Sequence, residues 1–161
     1  MNFFDFAIKM ELDGKAYYEK MIPETDAAGL KTILSMLASE EQKHYEMILD
    51  MKSGENVVMA DTSILEDAKN VFMTIKEDKT LLKGMDKEYA VCRHAMKIEA
   101  DSVRLYEDMI KKEENPETAK LLLKIANEEK KHYNIIENFY DFILKPEYYL
   151  EWREFSNLDR L

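Results

Sequence analysis

Two of the histidines stand three residues after a glutamate, in Glu41-Gln-Lys-His44 and Glu129-Lys-Lys-His132. On a helix, positions i and i+3 share a face, so each pair presents a carboxylate and an imidazole to one point. Glu11 and Glu99 each lie 30 residues before the glutamate of the pair that follows. One glutamate from each of two helices, with one Glu-x-x-His from each of two others, is a donor set suited to two metal ions inside a helical bundle. Four carboxylates balance two divalent cations, whereas the same acids buried without metal are costly. Oxygen and imidazole donors suit Fe(II), Mn(II) or Zn(II), and spacing does not choose among them. Solvated helix faces also carry Glu and His, but the joint placement of a Glu-x-x-His pair and an upstream Glu favours the metal reading over that one.

The recurrence is wider than the candidate ligands. Residues 8–22 (IKMELDGKAYYEKMI) align with 96–110 (MKIEADSVRLYEDMI), and 33–49 (ILSMLASEEQKHYEMIL) align with 121–137 (LLLKIANEEKKHYNIIE). Both alignments have an offset of 88 residues, with no gap between them. A shared offset across two segments and their connection indicates a duplicated helical hairpin and a bundle with approximate two-fold symmetry.

Helical periodicity and punctuation supply the elements that must position these residues. The first segment runs from about Phe3 to Met21 and stops before Pro23, and the second from about Asp26 to Met51 or Lys52, with Gly54 as its stop. The third runs from about Met85 to Lys112, and the fourth opens at Asn115-Pro116-Glu117 and ends near Lys145. Short connections make the first and second segments antiparallel neighbours, and likewise the third and fourth. The connection 54–84 is long enough to cross the bundle. Within it, Ser63-Ile64-Leu65-Glu66 reads as a capping box opening a short helix with Ile64, Ala68, Val71, Phe72 and Ile75 on one face. The expected organisation is one all-α domain over 1–145, made of hairpins 3–53 and 85–145 and the crossover 54–84. A short helical extension, 146–161, follows.

Composition narrows the partners. The chain has 161 residues, with 4 Gly and 3 Pro, too few turn formers for a β-rich fold. A formal net charge of −10 disfavours nucleic acid and anionic membranes. Cys92 is the single cysteine, which excludes a disulfide framework and a four-cysteine metal site on this chain. The N-terminus has acids within its apolar run and no basic lead, unlike a signal peptide, and no stretch approaches a membrane span. A cytoplasmic protein is the expectation.

At the Glu-x-x-His pairs and their upstream glutamates, the sequence resembles the rubrerythrin-like branch of the ferritin-like superfamily, over nearly all of the four long segments. The resemblance implies a ferritin-like four-helix bundle holding two iron ions. Glu11 and Glu99 would be terminal ligands, Glu41 and Glu129 would bridge, and His44 and His132 would give one nitrogen each. It implies reduction of hydrogen peroxide, or of dioxygen, with electrons from an external rubredoxin-like donor or flavin reductase. It also leaves open ferroxidase-type iron handling, or a non-catalytic metal-binding bundle. Two features depart from rubrerythrin. No Cys-x-x-Cys pair for a rubredoxin-like centre is present, and Ser102 stands where many rubrerythrins carry a second glutamate, three residues after Glu99. That glutamate is tied to redox-dependent iron movement, so the likeness is to a stand-alone relative.

Other residues divide between core and site. Tyr18 and Tyr106 follow Glu11 and Glu99 by seven residues, two helical turns, and the resemblance implies that they hydrogen-bond ligand carboxylates. Gly14 and Ser102 are small at matching positions, to admit substrate or to let helices approach. Cys92 has Phe4 as its repeat mate and reads as a core residue. His94 sits about 140° around the helix from Glu99 and is not expected to ligate. Tyr45 and Tyr133 follow the histidines and are expected between helices. Tyr148, Tyr149, Leu150, Trp152 and Phe155 make the tail too apolar for a free end. It is expected to cover the bundle or to dock on a second subunit in a homodimer.

Overall fold

The structure is a computed structural model and describes residues 2–77 and 88–144. The expected start of the third long segment at Met85 and the expected apolar tail 146–161 fall outside the described residues. Five helices follow in order among the described residues: α1 (Phe3–Met21), α2 (Ala28–Lys52), α3 (Ile64–Glu77), α4 (Tyr89–Lys112) and α5 (Pro116–Leu144).

Local chemistry sets most boundaries. Asn2 Oδ1 accepts from Asp5 N at 2.9 Å and starts α1, and Asn115 Oδ1 accepts from Glu117 N at 2.9 Å and starts α5. Gly54, at φ 77°, takes the left-handed conformation just past α2. Helix α4 begins at Tyr89, with Glu88 as its N-cap, rather than near Met85, and two further details differ from the sequence reading. Helix α2 begins at Ala28 rather than Asp26, and Thr25 Oγ1 instead accepts from Ala27 N at 3.3 Å within the preceding turn. At the start of α3 the Ser63 hydroxyl pairs with Asp67 Oδ2 at 2.8 Å, and Thr62 Oγ1 accepts from Ile64 N at 3.1 Å. A side chain one residue earlier therefore serves the first free amide.

The buried apolar residues form two main clusters that fall at opposite ends of every long helix. One gathers Ala7, Ile48, Met109 and Ile125, and the other gathers Leu34, Ala95, Phe139 and Phe142. Following each chain between them shows α1 and α5 running one way, and α2 and α4 the other. Helix α1 packs on α2, α4 on α5, and α1 on α4. Met59, early in the crossover, belongs to the first cluster, whereas Ile64, Ala68, Phe72 and Ile75 belong to the second. The crossover thus climbs the bundle. Helix α3 closes over α2 and α5, with the Phe72 ring edge-on to Phe139 at 5.8 Å and to Phe142 at 5.6 Å. It comes so close to α2 that a Cβ on Gly29 would lie 2.3 Å from Ile75 Cδ1. Between the two apolar clusters lies a layer of buried charge.

Candidate metal centre

Each long helix contributes to that layer where it passes from one apolar cluster to the other. Glu11 on α1, Glu41 and His44 on α2, Glu99 on α4, and Glu129 and His132 on α5 are all at most 1% exposed. The i, i+3 spacing places each Glu-x-x-His pair on one helix face. Burial of the flanking apolar residues turns that face inward.

The six residues fall into two overlapping groups whose ligand atoms lie within 4.8 Å of one another. One contains Glu11, Glu41, His44 and Glu129, and the other Glu41, Glu99, Glu129 and His132. Glu41 and Glu129 belong to both. The two imidazoles are nearly parallel, with centroids 5.7 Å apart and planes at 14°. His132 Nδ1 sits 3.4 Å from Glu99 Oε2 and Glu129 Oε2 and 3.5 Å from Glu41 Oε1. His44 Nδ1 sits 2.8 Å from Glu129 Oε1 and 3.5 Å from Glu11 Oε1.

The donor set fits a metal. Among the described residues, both oxygens of Glu41, one each of Glu11, Glu99 and Glu129, and both ring nitrogens of His132 are buried without a hydrogen-bond partner. Unpaired buried polar atoms are costly and rare. The carboxylate oxygens and one nitrogen of His132 lie within the two groups above, and cations placed there would satisfy them.

Protons divide the same charge unequally. Burial raises the Glu11 carboxyl, but the His44 charge, the adjacent Glu41 and His44 side chains and the Tyr106 hydrogen bond overcome it and bring the pKa down to about 2. Glu99 is likewise lowered, with burial outweighed by the His132 charge, the adjacent Glu129 and the Tyr18 hydrogen bond. Glu41 and Glu129 go well above the usual carboxyl range, first from burial and then from the neighbouring carboxylates. Burial lowers the imidazoles, yet the carboxylates around them raise His44 and His132 well above the usual value.

The tyrosines cross between the halves. Tyr18 on α1 donates to Glu99 Oε1 on α4 at 2.6 Å, and Tyr106 on α4 donates to Glu11 Oε1 on α1 at 2.5 Å. Each therefore supports the upstream glutamate of the other hairpin. Burial, followed by the adjacent carboxylates, raises both phenols well above 10, so they remain donors. A Cβ on Gly14 would stand 3.5 Å from Glu41 Oε2, so this glycine leaves room beside an unpaired carboxylate oxygen. Ser102 is buried.

Residues expected away from the centre are placed there. Cys92 is buried in the second apolar cluster, and burial with the Glu88 charge pushes its thiol up to about 12. His94 is exposed, its ring 4.4 Å from the Tyr17 ring. Tyr133 is buried against Ala100 and Val103, while Tyr45 is half-buried.

Sequence reasoning missed Glu40 and Glu128. Both are buried, and Glu128 Oε1 lies 2.9 Å from His44 Nε2. With His44 they form a third group of close ligand atoms. The signal was available, because a Glu-Glu pair precedes each histidine in both halves, Glu40-Glu41 and Glu128-Glu129. A cavity of about 280 Å3 opens beside this group, with Glu46, Asp50 and Asp61 also on its wall and Lys43 as the cation among them.

None of the described helices is long and apolar enough to cross a membrane. No significant match to a curated protein or to a solved structure was found. The model of the Rubrerythrin family matches residues 2–140, most of the chain. With the helical bundle and the buried carboxylate–histidine layer described above, the chain belongs to the rubrerythrin family of the ferritin-like superfamily.

Proposed function

We propose that the chain is a non-haem diiron oxidoreductase that reduces hydrogen peroxide with electrons from an external donor. The observation that carries this reading is the convergence of buried, unpartnered oxygen and nitrogen atoms from four helices on two overlapping groups. Two bound iron ions would supply the two electrons that, with two protons, take hydrogen peroxide to two waters. Glu11 with His44 would hold one ion and Glu99 with His132 the other. Glu41 and Glu129, common to both groups, would serve both ions. The tyrosine hydroxyls keep one oxygen of Glu11 and one of Glu99 hydrogen-bonded, which orients each carboxylate. The apolar clusters above and below exclude water. Cys92, buried with its thiol raised, is not placed to carry the electrons, and this reading assigns them to an external donor, a rubredoxin-like protein or a flavin reductase.

The acidic cavity beside His44 favours a second reading, ferroxidase-type iron handling, because its carboxylates would attract Fe(II) as substrate. Stopped-flow oxidation of the anaerobically loaded diferrous protein separates the two. Faster oxidation by hydrogen peroxide than by dioxygen, with turnover only when a reductase is added, supports the peroxidase. A clear preference for dioxygen with continued Fe(II) uptake moves the assignment to ferroxidase, and no reaction with either leaves a metal-binding bundle.

A further inference from the structure

The duplicated halves are not equal at their histidines. The two nitrogens of His44 point to different neighbours: Nδ1 to Glu129 and Glu11, and Nε2 to Glu128 Oε1 at 2.9 Å. Glu128 is 4% exposed and comes from α5, so the contact bridges α2 and α5. His132 turns its Nδ1 to Glu41, Glu99 and Glu129, but its buried Nε2 has no partner among the described residues. The repeat places Glu40 where Glu128 stands in the other half. The Glu40 carboxylate instead accepts from the hydroxyl of Thr62. Thr62 lies in the crossover, which the second hairpin does not repeat, so the crossover breaks the two-fold symmetry of the duplication.

We propose that Glu128 is a positioning residue that holds the His44 ring with Nδ1 facing the metal centre, and that the absence of such a partner at His132 makes the two metal positions unequal. The proposal rests on the metal-centre reading above. A neutral imidazole carries its single proton on one nitrogen, and a carboxylate at Nε2 keeps that proton there, leaving the Nδ1 lone pair for the ion. The carboxylate also makes the imidazole a better donor and fixes its rotation. His132 must adopt its tautomer and orientation without this help.

The test is a zinc(II) titration of the metal-free full chain against a competing chelator, with nitrogen-15 spectra of the histidine rings in the zinc-loaded state. The wild-type chain should show two unequal affinities, with zinc on Nδ1 of His44 and a slowly exchanging proton on its Nε2. Glu128→Ala should weaken the tighter step by about 10–100-fold and speed exchange of that proton. Glu128→Gln, which keeps an acceptor oxygen, should recover most of the affinity while shifting the His44 ring signals. It also provides the test should the alanine variant fail to fold. Two equal wild-type affinities, zinc on His44 Nε2, unchanged binding in Glu128→Ala, or unchanged His44 signals in Glu128→Gln would each overturn the proposal. Zinc uptake that is normal but insensitive to Glu128 leaves the metal-centre reading standing. A wild-type chain that takes up no zinc, iron or manganese removes both.

Discussion

The hydroxyl of Tyr106 donates to Oε1 of Glu11 at 2.5 Å, joining α4 to α1 across 95 residues of sequence, and Tyr18 makes the reciprocal bond to Glu99. Each hairpin therefore supports the other's upstream glutamate, and neither can complete the buried layer alone. Tyr106→Phe should destabilise the metal-free protein by about 1.5–3 kcal/mol, the range for a hydrogen bond to a charged group. It should also weaken metal binding. Tyr18→Phe should behave alike, with Glu99 as the group affected. Thermal unfolding and chelator competition measure the two effects, and full metal affinity in both variants would deny the tyrosines a part in orienting the ligands.

Ligand replacement should distinguish shared positions from unshared ones. Glu41→Ala or Glu129→Ala should weaken both ions, because each residue belongs to both ligand groups. His44→Ala or His132→Ala should mainly remove one ion. Metal content by elemental analysis after iron loading checks this. Full loading in all four variants would mean that the centre lies elsewhere.

Metal uptake should release protons. In the metal-free layer burial and the neighbouring carboxylates make Glu41 and Glu129 hold their protons to higher pH than free carboxyls do, and the surrounding carboxylates do the same for His44 and His132, while Glu11 and Glu99 are shifted the other way. Divalent ions compete with the protons held on Glu41, Glu129, His44 and His132, so binding should release protons from this group. Apparent affinity should therefore climb steeply as pH rises from about 6 to about 8. Calorimetry in buffers of different ionisation enthalpy counts the protons, and uptake without release would contradict these protonation states.

The metal-free protein should be most stable in mild acid. Raised imidazoles stabilise the fold fully below their unfolded value of 6.5, and this contribution is lost as pH rises through the higher folded values. Raised Glu41 and Glu129 likewise bind protons in the fold that the unfolded chain releases above 4.5, so stability grows as pH falls towards that value. Lowered Glu11 and Glu99 act oppositely: their contribution is present above 4.5 and is lost below it, for Glu11 through about 2. The unfolding midpoint should therefore rise from neutral pH to a maximum at about pH 4.5–5 and then fall. Saturating metal should raise the midpoint at neutral pH and lose that advantage in acid. An apo midpoint that falls steadily below pH 7 would contradict the raised pKa values.

The repeat, the helix boundaries near Pro23, Gly54 and Asn115, and the spacing of the Glu-x-x-His pairs are local or periodic features. They are legible because a helix fixes which residues share a face, whatever surrounds it. Ile64, Ala68, Phe72 and Ile75 were legible as the buried stripe of α3 for the same reason. Contacts between helices are not written in the spacing of any one of them. Which carboxylate each tyrosine reaches depends on the packing of α1 against α4, and the pairing of His44 Nε2 with Glu128 depends on the approach of α5 to α2. The sequence repeats Glu40 and Glu128 as equivalents. Tertiary structure separates them, because the crossover passes one side of the bundle and puts the Thr62 hydroxyl within reach of Glu40 alone.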